Sequence, residues 1–168
     1  MAIQDFDKAV KFNPYLWKAY YNRGHVYTDL KQYEKAILDY DKAIALLPKY
    51  FPLYYNRARV YEKLEEYKRA IQDYSRVIEI MPRNYEVYIN RGNAYQRLNQ
   101  YERAIQDYDK ALELKTKYTI AYNNRGWAYY ALKQYDKALK DFDKALELNP
   151  NYQTAKKGIA LCRKALGK

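Results

Sequence analysis

The chain has 168 residues, with 31 Lys or Arg against 20 Asp or Glu, for a formal charge of +11. It has no run of about 18 apolar residues for a membrane span, and its first ten residues carry acids where a secretory leader would be apolar. A single cysteine, Cys162, has no disulfide partner, and no Asn-x-Ser/Thr sequon occurs; both fit a reducing compartment, so the reading is an intracellular, cytoplasmic protein.

The segments YYNRGHVY, YYNRARVY, YINRGNAY and YNNRGWAY recur at a fixed spacing, which places Asn22, Asn56, Asn90 and Asn124 34 residues apart. A period of this length means stacked helix–turn–helix units. Residues 1–16 read as the second helix of a partial repeat, with Ala2, Phe6, Ala9 and Pro14 in register. Four full repeats follow at 17–50, 51–84, 85–118 and 119–152, and a last helix at 153–168. In repeat 1 the first helix is expected over about 18–30, where Tyr20, Gly24, Tyr27 and Leu30 recur at helical spacing. The second is expected over about 34–47, with Ala36, Ile37, Tyr40, Ala43, Ile44 and Leu47 on one side. Pro48, Pro82 and Pro150 end the second helices, because proline cannot continue the hydrogen-bond ladder. Thr116 takes that place in repeat 3, so that helix is expected to run on or to end less sharply.

The period also absorbs most of the 23 tyrosines. Four columns emerge: Tyr20/54/88/122, Tyr27/61/95/129, Tyr33/67/101/135, and Tyr40/74/108 completed by Phe142. Gly24, Gly92 and Gly126, with Ala58 in repeat 2, recur inside first helices, where glycine costs roughly 1 kcal/mol against alanine. Close helix approach against Ala36, Ala70, Ala104 and Ala138 is the expected compensation. Arg23, Arg57, Arg91 and Arg125 follow the asparagines, and Asp5, Asp39, Asp73, Asp107 and Asp141 recur on the second helices. One charge-assisted pair per repeat is expected, with ligand contact as the alternative. Pairing within repeats would leave Asp5 over; pairing across them would leave Asp141.

The pattern Tyr…Gly…Tyr…Tyr…Ala…Tyr/Phe…Ala…Pro over 34 residues resembles the tetratricopeptide repeat (TPR) family across residues 17–152. The resemblance implies an all-α, right-handed superhelical solenoid of antiparallel helix pairs, with 153–168 as a C-terminal capping helix. The stripe Ala155, Ile159, Cys162 and Leu166 suits that role. It also places Asn22, Asn56, Asn90 and Asn124 on a concave wall, where such ladders in some members hold extended peptides by their backbone. An amide both donates and accepts, so it suits that task; an inter-helix bond inside the stack is the alternative.

Other inner-wall places differ between repeats, as a specific groove requires. They are Tyr21, His25 and Asp29; Tyr55, Arg59 and Lys63; Asn93 and Arg97; and Asn123, Trp127 and Tyr130. An aromatic platform beside positive charge suits an acidic peptide with an aromatic or aliphatic anchor. The carboxylate clamp by which some members grip chaperone tails is not matched: Asn93 and Asn124 fall in place, but Ile89, Thr154 and Gly158 replace its basic residues.

The expected function is a non-catalytic interaction scaffold that binds an extended segment of a partner protein. Single-stranded RNA binding is the alternative that the charge and Trp127 invite, although about half of that charge excess sits at one end. The last 16 residues hold Lys156, Lys157, Arg163, Lys164 and Lys168 with no acid. A structural array is the third reading, with head-to-tail contact between 1–12 and 153–166 as the alternative to a monomer. One histidine, one serine and one cysteine assemble no nucleophile–base set, and no cofactor, metal or membrane is expected.

Overall fold

A computed structural model describes residues 2–167. Among them are ten α-helices and no strand. The chain divides into two units, at residues 1–82 and 83–168. The first unit holds α1 (Ala2–Phe12), α2 (Trp17–Asp29), α3 (Tyr33–Leu46), α4 (Phe51–Lys63) and α5 (Tyr67–Ile80). The second holds α6 (Tyr85–Arg97), α7 (Tyr101–Leu114), α8 (Thr119–Ala131), α9 (Tyr135–Leu148) and α10 (Gln153–Ala165). Each unit is a run of antiparallel helix pairs, the all-α solenoid class.

The turn inside each pair rests on one residue in the left-handed region: Lys31, Glu65, Asn99 and Lys133, with φ between 57° and 59°. The backbone bonds are those of a Schellman motif, as in Gln32 N–H to Tyr27 O at 2.8 Å and Lys31 N–H to Thr28 O at 3.0 Å. Glycine usually holds this place, and three of the four residues here are long charged side chains, so the sequence gives no glycine signal for the turn.

At the other end of each pair, proline proves dispensable. The second helix of repeat 3 ends at Leu114, in register with Leu46, Ile80 and Leu148, although Thr116 stands where proline is elsewhere. The expected run-on does not occur. Lys115 N–H bonds Ala111 O at 2.9 Å, and its ammonium donates to Tyr85 Oη at 2.8 Å while lying over the Tyr85 and Tyr118 rings. The boundary thus holds without a proline, with Lys115 anchored on Tyr85 of α6 and on Tyr118.

The core of each repeat is an aromatic ring in a slot. Tyr40, Tyr74, Tyr108 and Phe142 are fully buried. A Cβ on Gly24 would lie 3.0 Å from the Tyr40 ring, and one on Gly92 or Gly126 would lie 2.7 Å from Tyr108 or Phe142. The glycines therefore clear space for a ring rather than for the buried Ala36 column expected opposite them. Each buried hydroxyl needs a partner, and it finds one twelve residues earlier. Tyr40 Oη is 3.4 Å from Thr28 Oγ1, Tyr74 donates to Glu62 at 2.9 Å, and Tyr108 donates to Gln96 at 2.9 Å. Repeat 4 carries Tyr130 at that place and Phe142 in the slot, so the acceptor and the hydroxyl are absent together. Burial pushes the Tyr40 phenol up to about 12, and raises those of Tyr74 and Tyr108 as well.

The arginine column staples the layers. Arg23, Arg57, Arg91 and Arg125 each bind the aspartate of their own repeat through Nε and Nη2, at 2.6–2.8 Å. Pairing is within repeats, and Asp5 is the one left over. A second aspartate column, absent from the sequence reading, adds a bond from the preceding second helix. Arg23 donates to Asp7 at 2.6 Å, Arg125 to Asp109 at 2.5 Å, and Arg57 to Asp41. The guanidiniums also lie over tyrosines, as Arg23 does over Tyr20 and Tyr27. At the C-terminal end, α10 packs on α9 through Ala155, Gly158, Ile159 and Cys162.

Candidate functional site

Consecutive first helices lie side by side within each unit, α2 with α4 and α6 with α8. Each pair leaves a cleft where the inner-wall residues of two repeats meet. In the second unit it is an open cleft of about 640 Å³. Asn93, Arg97, Asn124, Trp127 and Tyr130 line it, all expected as site residues; Gln96, Asn99, Tyr101 and Ala131 complete it.

Hydrogen bonding fixes the polarity of this cleft. The Asn93 carbonyl oxygen accepts from Asn124 Nδ2 at 2.9 Å and lies 2.8 Å from Tyr108 Oη, whose single proton it shares with Gln96 Oε1. The Asn93 amide nitrogen is therefore the end left for a ligand. Asn124 Oδ1 is taken by Asn123 Nδ2 at 3.0 Å, and Tyr101 Oη donates to Asn99 at 2.6 Å. Arg97 is exposed and forms no ion pair among the described residues, and no carboxylate lines the cleft. Trp127 packs edge-on to Tyr130 and Phe142, with ring centroids 5.7 and 5.3 Å away. One wall is thus a fixed aromatic surface anchored on the core, and the other offers donors and a cation.

The corresponding cleft in the first unit is smaller, about 110 Å³, and is lined by His25, Thr28, Asp29, Tyr40, Asn56, Arg59 and Lys63. Asn56 Nδ2 lies 2.9 Å from Pro52 O, 3.1 Å from Tyr21 Oη and 3.3 Å from His25 Nε2. The Pro52 carbonyl can only accept, which fixes the amide orientation; its two N–H groups are spread over Pro52, Tyr21 and His25, and a bond to His25 Nε2 requires that nitrogen to be unprotonated. Burial lowers the imidazole pKa, with Asp29 opposing and Arg59 adding to the shift. Tyr21 packs edge-on to His25 at 4.6 Å and lies 6.2 Å from Tyr50, and burial raises its phenol.

The remaining expected residues lie outside both clefts. Asn123 is only 5% exposed and its Oδ1 is buried without a partner. Asn22 is exposed, Asn90 is half-buried, and Tyr55 packs edge-on to Tyr74 at 6.0 Å. Tyr101 and Gln96 were missed for opposite reasons. Tyr101 belongs to a repeating column that reads as scaffold, whereas Gln96 is visible only as the hydroxyl partner of Tyr108. The residues of a would-be nucleophile set are engaged elsewhere: Ser75 donates to Ile71 O at 2.7 Å, and Cys162 is buried on the side of α10 that packs on α9.

A family model described as "Tetratricopeptide repeat" matches residues 17–50, 51–84, 85–118 and 119–152. No curated protein sequence matches. Among solved structures, a crystal structure of MamA superposes with a TM-score of 0.84 at 26% identity, covering 88% of this chain and 86% of that one. The first TPR of Spaghetti (RPAP3), bound to the HSP90 peptide SRMEEVD, is 32% identical with a TM-score of 0.68, covering 70% of this chain and 94% of that one. A tetratricopeptide repeat protein from Parabacteroides merdae reaches a TM-score of 0.86 at 25% identity, covering 99% of this chain and 66% of that one.

Proposed function

Because this chain belongs to the tetratricopeptide repeat family, we propose that it is a non-catalytic interaction scaffold that holds an extended segment of a partner protein along its first helices. The observation that carries this reading is the second unit's cleft, where spare donors and a free cation face an aromatic wall. Asn93 Nδ2 and the Arg97 guanidinium supply donors to backbone carbonyls or a carboxylate, and Trp127 with Tyr130 takes an apolar or aromatic side chain. Asn124 enters as the amide that orients Asn93. The first unit's cleft has basic residues of its own, Arg59 and Lys63, with Asn56 and Tyr21 beside them. The likeness to an RPAP3 module bound to an acidic peptide supports the same class of ligand.

The test is selection of random peptides against the full chain, then titration of the enriched sequences by fluorescence anisotropy. Peptides that pair an acid with an aromatic or aliphatic residue should emerge. Trp127→Ala and Arg97→Gln should each weaken binding about tenfold, the effect of roughly 1.4 kcal/mol. Affinity unchanged in both folded variants would move the site elsewhere. Tight binding of poly(U) with a steep log-linear salt dependence would replace the peptide by RNA.

A further inference from the structure

The first unit has another opening, on the far side of α2. Arg23 and His25 are two residues apart on a helix of about 3.6 residues per turn, so they point to nearly opposite sides. On the Arg23 side, Tyr20 and Tyr27 of α2 face Lys35, Leu38 and Lys42 of α3 around a groove of about 370 Å³. The Arg23–Asp39 pair lies between them and is already satisfied, with Asp7 of α1 as the third member. Helix α1 thus stands to repeat 1 as α3 and α7 stand to repeats 2 and 4, where Asp41 and Asp109 bind Arg57 and Arg125. The groove is bounded as its counterparts are.

Repeat 1 differs from those counterparts in what covers the groove. In the other repeats the cation at the Lys42 place is matched three residues on: Arg76 with Glu79 at 2.5 Å, Lys110 with Glu113 at 2.6 Å and Lys144 with Glu147 at 2.7 Å. Ala45 stands at the glutamate place in repeat 1, and Lys42 forms no ion pair among the described residues. In repeat 2 the Arg69 guanidinium lies 4.1 Å over the Tyr61 ring and donates to its hydroxyl at 2.7 Å, and Tyr61 is 3% exposed. Lys35 at that place is 5.5 Å from the Tyr27 ring and donates to the neutral Gln32 at 3.0 Å, and Tyr27 is half-buried. Between the two cations, Gln72, Gln106 and Lys140 of the later repeats give way to Leu38, which is 65% exposed. A lone surface leucine carries no meaning. This one stands between two cations without an acid to match them, beside two tyrosines.

We propose that this groove is a docking site, separate from the clefts above, for an extended acidic segment of a partner protein with the pattern acid-x-apolar-x-acid. Leu38, Tyr20 and Tyr27 take the apolar side chain, and Lys35 and Lys42 take the carboxylates. The two lysines are seven residues apart, which is about 10 Å along α3. Alternate residues of an extended segment share one side, so its two acids stand about 13 Å apart. Flexible lysine stems span the difference. Charge complementarity favours such a partner over a second copy of a chain whose formal charge is +11.

The probe is the peptide Gly-Glu-Ser-Leu-Ser-Glu-Gly, acetylated and amidated, titrated to millimolar concentration into the isotopically labelled full chain. Saturable amide shifts at residues 20–27 and 35–42 are expected. Leu38→Gln and Ala45→Glu copy the residues of repeats 2 and 3, so the fold is kept; each should weaken this binding about fivefold or more. A peptide with serine in place of leucine should lose as much. Trp127→Ala should leave these shifts unchanged, which separates this site from the second unit's cleft. No saturable shift at these residues, affinity unchanged in both variants, or equal binding of the serine peptide would overturn the proposal. So would poly(U) that shifts the same residues and displaces the peptide, or self-association that protects 35–42 from hydrogen exchange without any peptide. The occupant would then be a nucleic acid or a second copy.

Discussion

The two clefts share one hydrogen bond in register and differ in almost everything else. In each, the asparagine of a first helix donates to the residue 31 places before it: Asn56 to His25 at 3.3 Å, Asn124 to Asn93 at 2.9 Å. The bond ties adjacent first helices together, so Asn56 and Asn124 act in the stack whatever else they do. Around it the chemistry diverges. The first unit closes its cleft with Lys63 and mixes Asp29 with two cations, whereas the second places Ala131 at the Lys63 position and leaves about 640 Å³ beside Trp127. The stacking tie and the cleft lining are separable here at the level of single columns.

Removing a staple gives the largest expected effect and tests whether the scaffold is the same in both units. Asp73 and Asp141 are each 5% exposed beneath their arginines. Arg57→Leu and Arg125→Leu should each cost about 3 kcal/mol in urea denaturation, by stranding a buried carboxylate. A cost confined to one unit would break the equivalence. Gly126→Ala comes next. Its Cβ would stand 2.7 Å from the Phe142 ring, and overpacking should cost about 1–3 kcal/mol despite the better helix propensity. Gly24→Ala meets Tyr40 at 3.0 Å and should cost less. Equal costs would show that the two slots do not differ in tightness.

What the sequence made legible follows from its period. The columns at Tyr40, Gly24, Arg23 and Asp39 announce themselves because each recurs, and the helix boundaries follow from the same repeats. Recurrence also hides things. Tyr101 sits in a scaffold column yet lines a cleft, because one side chain can pack on one face and show its edge on another. The second aspartate column was missed because Ser75 interrupts it between Asp41 and Asp109. Asn123 looks like a groove residue by register, but asparagine is smaller than the Tyr21 and Tyr55 of its column and lies buried. The turns were illegible for a different reason: backbone bonds hold Lys31 and Lys133 in the left-handed region without glycine. Lys133→Gly should therefore stabilise the chain by about 1 kcal/mol, read as a higher urea midpoint.

The smallest effect separates the clefts by proton. His25 is the chain's only histidine, so the tie between first helices can titrate in the first unit alone. Its Nε2 lies 3.3 Å from Asn56 Nδ2, and protonation would put a donor against a donor. Burial already lowers the imidazole pKa, helped by Arg59 and opposed by Asp29, while Tyr21 and Tyr40 pack on its faces and Lys63 lines the same cleft. With the folded pKa below the unfolded one, the unfolded chain binds the proton first as pH falls. The contribution is then complete above the ordinary histidine value near 6.5 and lost as pH drops through the folded value. Urea midpoints of the chain and of His25→Phe, measured from pH 8 to pH 5, isolate it by difference. The native chain should lose stability relative to the variant on acidification. A flat difference would mean that the Asn56–His25 contact carries no weight and that the asparagine tie belongs to the second unit only.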